Sequence, residues 1–84
     1  MIMNNIDNEQ WKRLSEVLDL AGMSPNYFAR YIGLPTGEYI YRIKRGQNGI
    51  TRDVANRIGQ KFPNININWL LSGEGCIFLD EAEE

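Results

Sequence analysis

Between Ser24 and Gly46 the chain writes a short helix, a sharp corner and a second short helix whose outward positions are aromatic and cationic. No other segment constrains the fold as tightly. Ser24 followed by Pro25 is a helix start, because a serine hydroxyl accepts from the first free amides and proline has its backbone angle already set for the first helical position. A helix is expected from Asn26 to Ile32, in which Phe28, Ala29 and Ile32 share one face while Arg30 and the ring of Tyr31 point elsewhere. Gly33 ends it, Leu34 and Pro35 carry the chain round the corner, and Thr36 offers a hydroxyl to cap the next helix, which is expected to run to about Arg45 before Gly46 stops it. Ile40 and Ile43 form the inward stripe of that helix. Outside it leaves Gly37, Glu38, Tyr41, Arg42, Lys44 and Arg45, with Tyr39 near the boundary. Two short helices joined by a glycine-containing turn, the second presented to solvent, make a helix-turn-helix arrangement.

Any small helical bundle needs short helices with glycines between them, and its outer faces are usually just solvated. The distribution of charge argues against that plainer reading. From Asn26 to Lys61 there are seven Lys or Arg and two acids, a local balance of +5, whereas residues 1–25 carry −2 and residues 62–84 carry −5. The overall −2 therefore hides a divided chain. Cations gathered on and around one exposed helix are the electrostatic footprint expected of a phosphate binder, whereas a merely soluble domain intersperses its charges.

The rest of the chain reads as scaffold. Asp7 or Asn8 can cap a first helix to about Ala21, where Trp11, Leu14, Leu18 and Ala21 recur at three and four residues with Val17 alongside, and Gly22 ends it. Gln47, Asn48 and Gly49 are turn chemistry. Thr51 caps a fourth helix with Val54, Ala55, Ile58 and Phe62 on its buried face, and Pro63 closes it because the residue before a proline avoids helical geometry. After an Asn/Ile stretch, Ile67, Trp69, Leu70 and Leu71 make a short last helix closed by Gly73. The expected fold is all-α, five short helices packed orthogonally, with no strand pattern, repeat or linker. Eighty-four residues, 43% of them hydrophobic, suit one domain over residues 1–79 with one modest core, followed by an acidic, disordered tail over residues 80–84.

These residues resemble the helix-turn-helix regulators of bacteria and their phages, the lambda repressor and Cro-like (XRE-type) family. The resemblance covers roughly Leu14 to Phe78. Its core is Phe28-Ala29-Arg30-Tyr31-Ile32-Gly33-Leu34 followed by Ile40-Tyr41-Arg42-Ile43-Lys44-Arg45-Gly46. The closing Phe62-Pro63-Asn64-Ile65-Asn66 and Trp69-Leu70-Leu71-Ser72-Gly73-Glu74-Gly75 look like the ending of many bacterial members.

The resemblance implies a sequence-specific transcriptional regulator, expected to be a repressor, that lays the helix from Thr36 to Arg45 in the major groove of double-stranded DNA with its amino-terminal half nearest the bases. Positions matching the family's base readers are Gly37, Glu38, Tyr39 and Arg42, with Tyr41 beside them. Arg42 is the strongest candidate, because its guanidinium can donate two bonds to a guanine edge. Glu38 can accept from a cytosine amino group, or it can serve to hold Arg42, four residues on, in place. Tyr39 and Tyr41 are candidates for thymine methyls or phosphates, or for packing on the preceding helix. Phosphate contacts are expected from Asn26, Tyr27, Thr36, Lys44, Arg45, Asn48 and Arg52, whereas Arg30, Arg57 and Lys61 read equally well as a solvated face. Because one short helix reads only a few base pairs, a homodimer on a palindromic operator is expected. Two departures stand out. Pro25 occupies the place where many members carry a phosphate-binding glutamine, and the corner from Leu34 to Tyr39 is one residue longer than the commonest form.

Catalysis finds no support in a chain with no histidine and a single cysteine, Cys76, and neither a metal nor a cofactor is expected. Cys76 reads as a small apolar filler. No apolar run approaches the roughly 20 residues that span a bilayer, and the amino terminus is polar without a secretory pattern, so a cytoplasmic location is expected. The competing class is a protein-interaction or antitoxin-like module using the same bundle. Its best support is the apolar run Cys76, Ile77, Phe78 and Leu79, which can pack on the bundle, pair two subunits or receive a partner.

Overall fold

Hydroxyl caps and glycines cut this chain into short helical pieces. In the structure, a computed structural model that describes residues 8–79, the regular elements are five α-helices: α1 (Glu9–Ala21), α2 (Pro25–Tyr31), α3 (Glu38–Lys44), α4 (Arg52–Lys61) and α5 (Ile67–Ser72). Among the described residues there is no strand, only an isolated antiparallel bridge between Ile65 and Phe78. The chain divides into two compact units, the first ending at Gly49 and the second beginning at Ile50.

In the first unit, α1 buries Leu14, Val17 and Leu18, the middle of the three-and-four-residue stripe, while Trp11 and Ala21 at its ends are only half-buried. Asn8 stands at the N-cap without capping the helix through its side chain; its Nδ2 instead donates to the carbonyl of Lys44 at 2.7 Å. Ser24 does cap α2, its Oγ accepting from the amide of Tyr27 at 3.1 Å, with Pro25 in the first turn. Phe28, Ala29 and Ile32 are all buried, as are Ile40 and Ile43 of α3, and α3 packs on both α2 and α1.

The corner between α2 and α3 is set by two glycines for two different reasons. At Gly33, φ is 98°, a left-handed conformation that a side chain would strain, and the amides of Gly33 and Leu34 bond back to the carbonyls of Arg30 and Ala29 at 3.1 and 2.9 Å. That pair of bonds ends α2 while satisfying its last carbonyls. Gly37 has an ordinary φ of −84°, but a Cβ there would stand 2.6 Å from Oδ1 and 2.9 Å from Cα of Asn26. Here glycine is required by close approach, since the start of α3 lies against the start of α2. The helix, Glu38–Lys44, is shorter than the expected span from Thr36 to Arg45. Gly37 is its N-cap and Arg45 its C-cap, although the Thr36 hydroxyl still accepts from the amide of Glu38 at 3.2 Å.

In the second unit, Thr51 caps α4 through a bond from the amide of Val54 at 3.2 Å, and Val54, Ala55 and Ile58 are buried, with Phe62 half-buried before Pro63. Asn66 caps α5, its Oδ1 accepting from the amides of Asn68 and Trp69 at 3.1 and 3.4 Å, and α5 packs on α4 with Leu70 buried. The apolar run after α5 turns back onto its own unit: Asn66 donates to the carbonyl of Ile77 at 2.8 Å and Leu79 to that of Asn64 at 2.7 Å. Ile77 and Phe78 become half-buried. Cys76 does not become the expected apolar filler. It is exposed, because it lies in the turn after Gly75, before this backbone pairing begins. The tail over residues 80–84 lies outside the described residues. No helix among the described residues is long and apolar enough to cross a membrane.

Candidate nucleic-acid interface

The exposed face of α3 is organised around one carboxylate. Glu38 Oε2 accepts from Arg42 Nε at 3.2 Å, one helical turn on, and from an Nη of Arg45 at 3.2 Å, two turns on. All three side chains are about half exposed, at 57% for Glu38, 52% for Arg42 and 49% for Arg45. Exposed ion pairs contribute little to stability, because water screens the attraction and long side chains lose freedom. What this pair of bonds does is geometric. It draws two flexible cations against one anion and leaves the cluster with a net positive charge. The hydrogen bond from Arg42 is the main reason the Glu38 carboxyl titrates below the ordinary glutamate range, with the Arg45 charge adding to it and partial desolvation opposing it.

The expected pairing of Glu38 with Arg42 is therefore present, and Arg45 joins it as a second, unexpected partner. The signal was available: residues 38, 42 and 45 are spaced by four and three and so lie on one helix face. Thr36, Gly37 and Glu38 meet Asn26 and Tyr41 around one shallow depression, and Leu34, Pro35, Thr36 and Tyr39 meet Glu38 and Arg42 around another. Gly37 is buried against Asn26, so what it contributes is the close seating of α3 rather than a group on the surface.

The two tyrosines of α3 differ. Tyr39 donates its hydroxyl to the carbonyl of Gly49 at 2.7 Å, tying the helix to the loop that leaves it, while Tyr41 is half-buried beside Asn26. The residues expected to touch phosphate differ in their settings. Asn26 and Tyr27 are exposed at the start of α2, and the Tyr27 ring stacks on that of Tyr31 with centroids 6.4 Å apart. The spacing of four between Tyr27 and Tyr31 places the two rings on one face. Lys44 is exposed with its ammonium 5.9 Å from the centre of the Trp11 ring, a cation–π distance. Asn48 is half-buried, and its amide approaches the Arg42 carbonyl at 3.4 Å. Arg52 belongs to the second unit, exposed at the first residue of α4. Arg57, on the same helix, is bound to Asp53 at 3.1 Å.

Among the described residues, no three of His, Cys, Asp or Glu come together in a group able to hold a metal ion. Comparison with family models, with curated proteins and with solved structures finds no match to this chain.

Proposed function

We propose that this protein is a sequence-specific DNA-binding transcriptional regulator, with α2 and α3 forming a helix-turn-helix whose second helix enters the major groove. The observation that carries the reading is the cluster of Glu38, Arg42 and Arg45: two guanidiniums gathered by one carboxylate on the exposed face of a short helix that is seated by a glycine on its predecessor. An arginine fork matches the acceptors of a guanine edge, and pre-positioning it lowers the ordering cost of each bond. The division of charge supports the same reading, since seven of the nine Lys and Arg fall between Asn26 and Lys61. In this role Arg42 reads bases, with Glu38, Tyr39 and Tyr41 beside it. Asn26, Tyr27, Thr36, Lys44, Arg45, Asn48 and Arg52 bind phosphates and fix the register.

A seven-residue helix reaches few base pairs, so the protein acts as a homodimer on a palindromic operator, and binding there is expected to repress transcription. The interaction-module reading rests on the apolar run from Cys76 to Leu79, whose backbone at Ile77 and Leu79 bonds to Asn66 and Asn64 of its own chain while Cys76 and Leu79 stay exposed.

The test is selection from a randomised duplex pool at two salt concentrations, followed by sequencing. An enriched palindrome whose affinity falls as salt rises is the expected result. No retention even at low salt would overturn the assignment.

A further inference from the structure

Two features at Arg42 together define a base step. Glu38 Oε2 accepts its Nε hydrogen at 3.2 Å. A guanidinium has five N–H donors in a rigid fork, and engaging Nε leaves the far edge, Nη1 and Nη2, to make a parallel pair of bonds. Of the four base edges in the major groove, only guanine presents two acceptors side by side, O6 and N7. Beside the Glu38–Arg42 pair lies a shallow depression lined by Leu34, Pro35, Thr36 and Tyr39 together with Glu38 and Arg42 themselves. Leu34, Pro35 and Tyr39 make this lining mainly hydrocarbon, and its one carboxylate, Glu38, is already engaged by Arg42 and Arg45. The lining fits the one apolar group in the major groove, the thymine methyl.

We infer that α3 reads a guanine with a thymine as its neighbour: the Nη edge of Arg42 bonds guanine O6 and N7, and the hollow formed by Leu34, Pro35 and Tyr39 takes the adjacent thymine methyl. Glu38 is the specificity-determining residue that makes this possible. By accepting from Nε it aims the fork, and its negative charge lowers the attraction of the cluster for phosphate on every sequence alike. The inference rests on the DNA-reading assignment above and gives it a chemical address.

The unaltered protein tests it. Sites enriched from the randomised pool are expected to carry a guanine next to a thymine in each half. On the best site, exchanging that guanine for 7-deazaguanine removes N7 alone and is expected to weaken binding about tenfold. Exchanging the thymine for uracil removes one methyl and is expected to cost about fourfold. In the variant Glu38→Gln, affinity for the selected site falls while affinity for random duplex rises, so the ratio between them narrows; a purely structural Glu38 would lower both together. Indifference to either base exchange, or enriched halves that lack the guanine, overturns the inference and leaves the DNA-reading assignment standing. A pool with no enrichment overturns the assignment itself.

Discussion

The hydroxyl of Tyr39 donates to the carbonyl of Gly49 across 2.7 Å, so the amino-terminal turn of α3 holds the loop that begins where the same helix ends. One bond thus spans the whole helix and the turn after it. A hydrogen bond of this kind, partly open to water, contributes about 0.5–1 kcal/mol net. Tyr39→Phe keeps the ring and removes the donor. It is expected to lower the unfolding free energy by about that amount in urea titration and to speed amide exchange over residues 46–49; unchanged exchange there would show that the bond does not hold the loop.

Gly37 gives a sharper steric test. Its φ of −84° suits any residue, so the cost of Gly37→Ala comes from the contact alone, with the new methyl 2.6 Å from Oδ1 and 2.9 Å from Cα of Asn26. Because one of those atoms is backbone, rotating a side chain relieves only part of the clash. A destabilisation of about 1–3 kcal/mol is expected. Adding Asn26→Ala should recover part of it, and strict additivity of the two changes would mean that the helices do not meet at this point.

Stability should also respond to acid through Glu38. Its folded-state pKa lies below the ordinary value, chiefly because of the bond from Arg42. The carboxylate therefore stabilises the fold fully above the unfolded-state pKa, and that contribution disappears as pH falls through the lower, folded-state value. In unfolding measurements across this acid range, Glu38→Gln is expected to flatten part of the decline seen in the parent. An identical slope would remove Glu38 from the titrating groups that matter.

The arginines should separate by role. Arg42→Ala is expected to lose about 1–3 kcal/mol on the preferred duplex and to relax one base position, whereas Arg52→Ala weakens every sequence alike and reduces the salt slope by about one. Titration of both variants against cognate and scrambled duplexes reads this directly. Equal losses on every sequence for Arg42→Ala would remove it from base reading.

Phe28 is fully buried on α2, and Phe28→Ala is expected to cost about 3–5 kcal/mol. For a chain of this size that is most of the available stability, so loss of cooperative thermal unfolding is the expected observation.

Features governed by neighbours along the chain were legible before the structure. Ser24 and Thr51 cap as their types suggest, and the buried stripes of α2, α3 and α4 follow from spacing. What depends on contact between distant segments was not. Gly37 looks in sequence like an exposed recognition position, and only the approach of Asn26 buries it. Cys76 looks like a core residue because it opens an apolar run, but the pairing that buries its neighbours starts one residue later. Ile50 and Ile65 are buried outside any helix, where no periodicity marks them, and Asn66 was hidden as a cap within a run of similar residues. In the candidate interface the Glu38–Arg42 pair was legible from its spacing, and the tether from Tyr39 to Gly49 was not, since nothing local links a phenol to a carbonyl ten residues away.

The ammonium of Lys44 sits 5.9 Å from the Trp11 ring, with Lys44 at the end of the helix proposed to meet DNA and Trp11 on the opening helix. That arrangement equips the first unit with an optical reporter. A cation beside an indole shifts its emission, so an event that pulls Lys44 toward a phosphate changes the light coming from Trp11. Once Trp69 is replaced by phenylalanine, the protein's own fluorescence can follow the engagement of α3 in real time, without a dye and without a label on the nucleic acid.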